Sequence, residues 1–293
     1  MNEEKKSILI WGLHGVGKTS MINSLPHELE KLSKEDGIIY KLTNPSDESD
    51  GNQETRFRSK YEKVEATQFH DPISLNLRVF PALNPKVARK YNLVFVDDKG
   101  DEMKAAVDKT RDASPSNNII RNYLERHSKG VIAIFEYDRN VSDSKVKYEN
   151  SDLLINLLDI LSSRKEKASL AICINKIDRT RQRWKDPKVF FEMVFENNWK
   201  SILQIIMEAK NKNVKVDFFV TSMVGYFRNS QGVTVPNFSG SDVIDGDVLR
   251  PWNVTAPLFW ILESIEDEGE INWFSKLLKT TEKRNLGFPK SFF

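Results

Sequence analysis

Cysteine is nearly missing: Cys173 is the one example in a chain of 293 residues. A single thiol excludes an internal disulfide framework and any zinc site built from several cysteines. Long apolar runs are missing too, and none approaches the roughly 18 residues that a membrane-spanning helix needs. The start, Met1-Asn2-Glu3-Glu4-Lys5-Lys6, has neither the apolar stretch of a secretory signal nor the glycine required for myristoylation. The end, Phe288 to Phe293, offers no cysteine for prenylation. An excess of one charge is also absent. Lys plus Arg number 44 against 42 Asp plus Glu, a formal net charge of +2. That balance argues against a dedicated nucleic-acid binder, whose footprint is a strongly basic face. What is left is an ordinary globular composition, 39% hydrophobic and 29% charged, in a chain long enough to bury a substantial core. A soluble cytoplasmic protein is expected.

Five short runs rich in Val, Ile and Phe read as strands covered on both faces: Ser7–Trp11, Leu93–Val96, Val131–Tyr137, Leu170–Ile174 and Val216–Val220. Ile73–Phe80 alternates apolar and polar residues, which predicts a half-exposed strand. A turn-like Asn84-Pro85 separates it from Leu93, so the two should form an antiparallel hairpin at a sheet edge. Helical stretches fall between the other strands, at about Lys18–Ser33, Ile119–His127, Ser144–Ser163, Pro187–Lys212 and Thr255–Ile265. Leu153, Leu154, Leu157, Leu158 and Leu161 follow one helical face. Strand and helix in alternation predict a doubly wound α/β fold. Thr43–Asn52, Asp112–Asn118 and Tyr226–Trp252 are polar and turn-rich, and read as long loops on one enlarged domain. No internal repeat or low-complexity tract is present.

Gly12-Leu-His-Gly-Val-Gly17-Lys18-Thr19 fits G-x-x-x-x-G-K-[ST], after a strand and before a helix, which is the context that motif requires. Its glycines let the backbone fold into a nest of inward N–H groups, and the helix N-terminus adds positive potential for phosphate. Gly12, His14, Gly15, Val16, Gly17, Lys18, Thr19 and Ser20 are therefore candidates for nucleotide binding. Lys18 would reach the β- and γ-phosphates, and the Thr19 hydroxyl would bind magnesium.

Three further elements follow in order, each ending a strand. Asp97-Asp98-Lys99-Gly100 is a D-x-x-G. The carboxylate of Asp97 could hold the magnesium shell through water, and the Gly100 amide could meet a γ-phosphate. Asn175-Lys176-Ile177-Asp178 is an N-K-x-D, which favours one base on chemical grounds. The Asp178 carboxylate can accept from both N1–H and the 2-amino group of guanine. Asn175 helps fix the other edge and the loop, and the Lys176 stem can lie across the ring. Adenine turns an N1 lone pair toward the same carboxylate. Losing two charge-assisted hydrogen bonds at about 1.5–3 kcal/mol each implies roughly 10²–10⁴ of discrimination. Thr221-Ser222-Met223, after the last strand, supplies a small hydroxyl and a backbone amide, so Ser222 and Met223 join the base site.

With those motifs in place, the chain resembles a Ras-like GTPase of the translation-factor-related P-loop class, over about Ser7 to Ile265. The resemblance implies a six-stranded, mostly parallel sheet, with GTP and Mg²⁺ as ligands. It also implies hydrolysis as a molecular switch and a protein effector or activating partner. The segment Pro251–Glu263 is similar to the closing helix of the bacterial double-GTPase family of conflict and defence systems. The family also implies a switch threonine completing the magnesium shell. Thr43, Thr55 and Thr67 are candidates, and Thr67, just before the alternating strand, is chosen.

Lys18, Thr67, Gly100 and Asp101 thus form the expected catalytic set, with Thr19, Thr67 and Asp97 around the metal. Two departures stand out. Asp101 occupies the place where Ras-like proteins often carry a water-orienting glutamine, and a carboxylate there would repel the γ-phosphate and slow the reaction. His14 replaces a common glycine. The competing reading is a nucleotide-binding module that docks a partner with negligible turnover. Residues 1–268 are read as the GTPase domain and 269–293 as an amphipathic helix and tail. In the helix, Ile271, Phe274, Leu277 and Leu278 oppose Lys276, Lys279, Lys283 and Arg284. Packing of that helix on its own domain is favoured over a membrane contact.

Overall fold

The computed structural model describes residues 6–13, 15–43, 73–82, 88–95, 100–107, 115–137, 144–179, 187–195, 198–223, 225–228, 230–231, 234–236, 238–239, 242–243 and 251–266. The first strand, β1 (Lys6–Gly12), shows how the layers arise. Ile8, Leu9, Ile10 and Trp11 are all fully buried. Because side chains alternate across a strand, Leu9 and Trp11 enter one hydrophobic cluster while Ile8 and Ile10 enter a second on the opposite face. Helix α1 (Lys18–Asp36) covers the second cluster with Met21, Ile22, Leu25 and Leu29.

The chain then runs through β2 (Ile38–Thr43), β3 (Ile73–Pro81), β4 (Arg89–Phe95), α2 (Gly100–Val107) and α3 (Pro115–Asn122). A π-helical turn, Tyr123–His127, leads into β5 (Ser128–Glu136), followed by α4 (Ser144–Ser162) and β6 (Ala168–Asn175). Helices α5 (Pro187–Phe195) and α6 (Trp199–Asn211) precede β7 (Val214–Val220). Two small antiparallel hairpins follow, β8 (Tyr226–Arg228) with β9 (Thr234–Pro236) and β10 (Phe238–Ser239) with β11 (Asp242–Val243). Helix α7 (Ala256–Ile265) closes the described fold.

The main sheet has the order β2-β3-β4-β1-β5-β6-β7. The strands β4, β1, β5, β6 and β7 run parallel, and β3 is antiparallel to both β2 and β4. Residues of α2 to α6 lie in the first cluster and residues of α1 and α7 in the second. This is the expected doubly wound, mostly parallel α/β fold. The leucine face of α4 is buried throughout. Phe191, Phe195, Trp199 and Phe218 lock α5 and α6 onto β7, with Phe191 edge-on to Phe218 at 4.8 Å between ring centres. Gly130 on β5 lets α7 approach, since a Cβ there would collide with Ile261. Cys173 is buried in β6, and desolvation and Asp217 hold its thiol well above the usual range.

Several boundaries differ from the sequence reading. The sheet has seven strands where six were expected, because Ile38–Thr43 is also a strand. Gly37, at φ +67°, turns the chain straight from α1 into β2 with no loop to announce it. As a result β3 is not the edge strand. The hairpin with β4 is present, but β2 covers its far side, and Asn76 on the polar face of β3 is buried as well. Pro115–Asn118 is helical rather than loop, with Pro115 at the helix start where its missing N–H is harmless. The single helix expected over 187–212 is two, α5 ending at Phe195 and α6 starting at Trp199 after Asn198, whose side chain makes no capping hydrogen bond. The long segment after Met223 carries the two hairpins. Among the described residues, no helix is long and apolar enough to cross a membrane. The amphipathic stretch 271–284 lies outside the described residues.

At the start of β1, Lys6 Nζ is 3.2 Å from Glu266 Oε2, and the Tyr91 hydroxyl donates to Glu266 Oε1 at 2.7 Å. This buried contact pins the residue after α7 to β1 and β4.

On edge strand β7, burial pushes the Asp217 carboxyl above the usual carboxylate range, while the Phe218 N–H and Lys210 pull it back. Its folded pKa is raised, so its favourable contribution is complete below the unfolded value of about 4 and is lost as pH rises through the folded value. Asp217→Asn keeps the acceptor for Phe218 N–H, now 2.8 Å from Oδ1. It is expected to raise Tm at pH 7, with the gain closing below about pH 4. Thermal melts of both proteins across that range check it.

Candidate functional site

The carboxyl ends of β1, β5, β6 and β7 open at one edge of the sheet, where the motif residues gather. Gly12 is the last residue of β1, and a Cβ there would stand 2.6 Å from the Ile134 carbonyl oxygen. Gly15 and Gly17 take φ of +76° and +101°, the left-handed region open to glycine. Helix α1 begins at Lys18 with no side-chain cap and no acidic residue in its first turn. Its N-terminal partial positive charge is therefore not quenched by the helix itself. Lys18 is buried, and its Nζ donates to the carbonyls of Gly12 at 2.8 Å and Leu13 at 2.9 Å. Thr19 is half-buried and Ser20 exposed. The Val16 side chain faces the core, so its contribution to the rim is its backbone.

A second group closes around the end of β6. Asn175 is 1% exposed. Its Nδ2 donates to the Val16 carbonyl at 2.7 Å, and its Oδ1 accepts from the Thr221 hydroxyl at 3.3 Å. One amide thus ties the loop after β1 to the loops after β6 and β7. The same joint explains Gly17, because a Cβ there would fall on Asn175 Nδ2. Lys176 leaves the strand at φ +62°. Its Nζ lies 2.8 Å from Glu136 Oε1 at the end of β5. Asp178, in the 3₁₀ turn Ile177–Arg179, is also buried. The Ser222 hydroxyl donates to Asp178 Oδ1 at 2.6 Å and accepts from the Gly225 N–H at 2.8 Å. Ser222 and Trp252 exchange backbone hydrogen bonds at 3.0 and 2.8 Å, and Asn253 Nδ2 donates to the Val220 carbonyl at 3.0 Å. Met223 contributes a buried side chain to the core beside Gly17.

The arrangement has two chemical ends. One presents a helix N-terminus, glycine backbone and a lysine ammonium, suited to an anion. The other holds a buried carboxylate in fixed orientation, suited to adjacent N–H donors. Among the described residues, no cluster of three or more His, Cys, Asp or Glu side chains could hold a metal. The Thr19 hydroxyl at the start of α1 is a hard oxygen donor of the kind Mg²⁺ takes.

His14, Thr67 and Asp97 lie outside the described residues, as does the side chain of Asp101, while Gly100 opens α2. Glu136, Trp252 and Asn253 escaped the sequence reading. The available signal for Glu136 was an acid at the carboxyl end of an otherwise apolar strand.

No protein-family model and no curated protein matches the chain. Solved structures similar to it include the signal recognition particle receptor SRb-GTP/SRX complex from Chaetomium thermophilum. That match has 18% identity over 75% of this chain and 92% of that one, with a TM-score of 0.45. A second is an ADP-ribosylation-factor-like GTP-binding protein, the small COPII coat GTPase SAR1 from Encephalitozoon cuniculi, in complex with GDP. It shows 13% identity over 97% of this chain and 85% of that one, with a TM-score of 0.33. A third is Roco2 RocCORdC of Methanosarcina barkeri bound to GDP, at 16% identity over 75% of this chain and 44% of that one, with a TM-score of 0.31.

Proposed function

We propose that this chain is a P-loop GTPase that binds GTP at the joint between β1, β6 and β7 and hydrolyses it as a nucleotide-dependent switch. The observation carrying the proposal is the Asn175 amide, which links the glycine loop at Val16 to the base loop at Thr221. A phosphate-type loop and an Asp178-bearing loop joined in this way suit a single ligand with a polyphosphate at one end and a purine at the other. The discriminating group is Asp178, oriented by Ser222 toward the N1–H and 2-amino edge of guanine.

Lys18 would exchange its present carbonyl partners, Gly12 and Leu13, for phosphate oxygens. The N–H groups of residues 15–18 would cradle the β-phosphate, and Gly100 N–H would meet the γ-phosphate. The Thr19 hydroxyl, with Thr67 and a water held by Asp97, would hold Mg²⁺, which supplies neutralisation of the charge that develops on the γ-phosphoryl oxygens. Water attacks the γ-phosphorus, the bond to the β-phosphate oxygen breaks, and GDP and phosphate result. Lys18 and the loop amides stabilise the separating charge without reorganising. Loss of the γ-phosphate would release the segments around Thr67 and Asp101 and change what a protein effector meets. A place in a bacterial conflict or defence system rests on the resemblance of Pro251–Glu263 alone.

Single-turnover hydrolysis of GTP tests the proposal. The unmodified chain is expected to hydrolyse GTP at least about 10²-fold faster than Lys18→Ala, the usual size of a lost transition-state contact. Asp101 favours a second reading, a GTP- or GDP-binding docking module with negligible turnover. Guanine-nucleotide binding with no rate above the Lys18→Ala control would select that reading.

A further inference from the structure

Glu136 is the last residue of β5 and pairs in register with Asn175 on β6. Lys176 follows directly after β6, so acid and base stand at the ends of neighbouring strands at the rim of the site. Their contact is 2.8 Å, and the two side chains are 24% and 23% exposed. Both ends of the lysine are thereby held. Its backbone is set in the left-handed region at φ +62°, the Tyr137 N–H holds the preceding Asn175 carbonyl at 2.9 Å, and its ammonium is held by the carboxylate. An unrestrained lysine carries four rotatable bonds and samples many shapes. Held at both ends, its methylenes form a fixed apolar rod reaching from β6 to β5, strands about 4.8 Å apart. Such a stem is the kind of surface on which a flat ring packs, and fixing it beforehand removes an ordering penalty from binding.

We infer that Glu136 is a positioning residue for the nucleobase: by anchoring the Lys176 ammonium, it sets the lysine stem as a floor beneath the purine face. The inference rests on the guanine-nucleotide reading above. It assigns the two carboxylates different tasks. Asp178 reads the edge of the ring, where guanine and hypoxanthine differ by the 2-amino group. Glu136 acts through Lys176 on the face, which the two bases share.

That division gives a test that general loosening of the loop would not pass. GDP and IDP affinities are measured by calorimetry for the unmodified chain, Glu136→Gln, Lys176→Met and the double variant. Glu136→Gln is expected to weaken GDP and IDP by the same factor, about fivefold for a partly exposed ion pair. In the Lys176→Met background, the same change should add nothing, because the group it acts through has gone. Unchanged affinities in Glu136→Gln, independent losses that multiply in the double variant, or a fall in the GDP-to-IDP ratio would each overturn the role. If the unmodified chain binds neither nucleotide, the base-pocket reading falls and takes this inference with it. Tight binding by the unmodified chain with an inert Glu136→Gln removes the inference alone.

Discussion

Asp178→Asn is expected to reverse the base preference of the site, weakening GTP by at least about 10-fold while xanthosine triphosphate overtakes it. The carboxylate is 3% exposed and oriented by the Ser222 hydroxyl at 2.6 Å. Guanine offers it two donors, N1–H and the 2-amino group. An amide at the same place keeps one acceptor for N1–H but turns its own N–H₂ toward the 2-amino group, so one contact becomes a clash of donors. Xanthine carries an oxygen at C2 and restores the pairing. Because asparagine matches aspartate in shape and can still accept from Ser222, the loop should keep its form. Competition calorimetry with GTP, xanthosine triphosphate and ATP reads the result. Equal binding of GTP and ATP by the unmodified chain, or an unaltered preference in the variant, would contradict the assignment.

Gly17→Ala should be nearly as damaging, by a different route. At φ +101° an alanine is strained by about 1–2 kcal/mol. Its methyl group would also fall on Asn175 Nδ2, displacing the amide from the Val16 carbonyl and leaving a buried donor unpaired, at about 1–3 kcal/mol. Both costs lower Tm, and displacement of Asn175 deforms the loop that would hold the ligand, so nucleotide affinity should fall by about 10-fold or more. Gly37→Ala separates the two contributions. Gly37 is also left-handed, at φ +67°, but a Cβ there meets nothing within 4 Å. It should lower Tm through strain alone and leave nucleotide affinity unchanged. Equal binding losses in the two variants would show that the contact with Asn175 does not matter.

Two strands that carry the site, β1 and β6, were readable because each is apolar on both sides. Residues 8 to 11 of β1 and all of β6 are buried, and no surface residue interrupts the pattern. Their ends could be placed because glycine, asparagine and aspartate interrupt those runs sharply. β2 was harder to see. Ile38, Tyr40 and Leu42 alternate correctly, but they follow α1 across a single residue, and a short alternation beside a helix looks like its continuation. The joints of the site are a different matter. Asn175 and Val16 are 159 residues apart in sequence, and no local pattern says that β6 and β1 flank the same strand. Glu136 meets Lys176 because β5 and β6 are neighbours in register. Sheet order is decided by packing of whole layers, so contacts that depend on it are hidden from motif and periodicity alike.

The Lys6, Tyr91 and Glu266 contact has a practical outcome for anyone handling the molecule. It brings the entry and exit of the described fold together at the foot of β1, about 20 Å of extended strand away from the glycine loop. A surface anchor or a fused reporter joined at either point would sit at the opposite end of β1 from the glycine loop. The pair also forms a natural seam. Any splice made at 6 and 266 would lie beside the Lys6–Glu266 contact and away from the glycine loop.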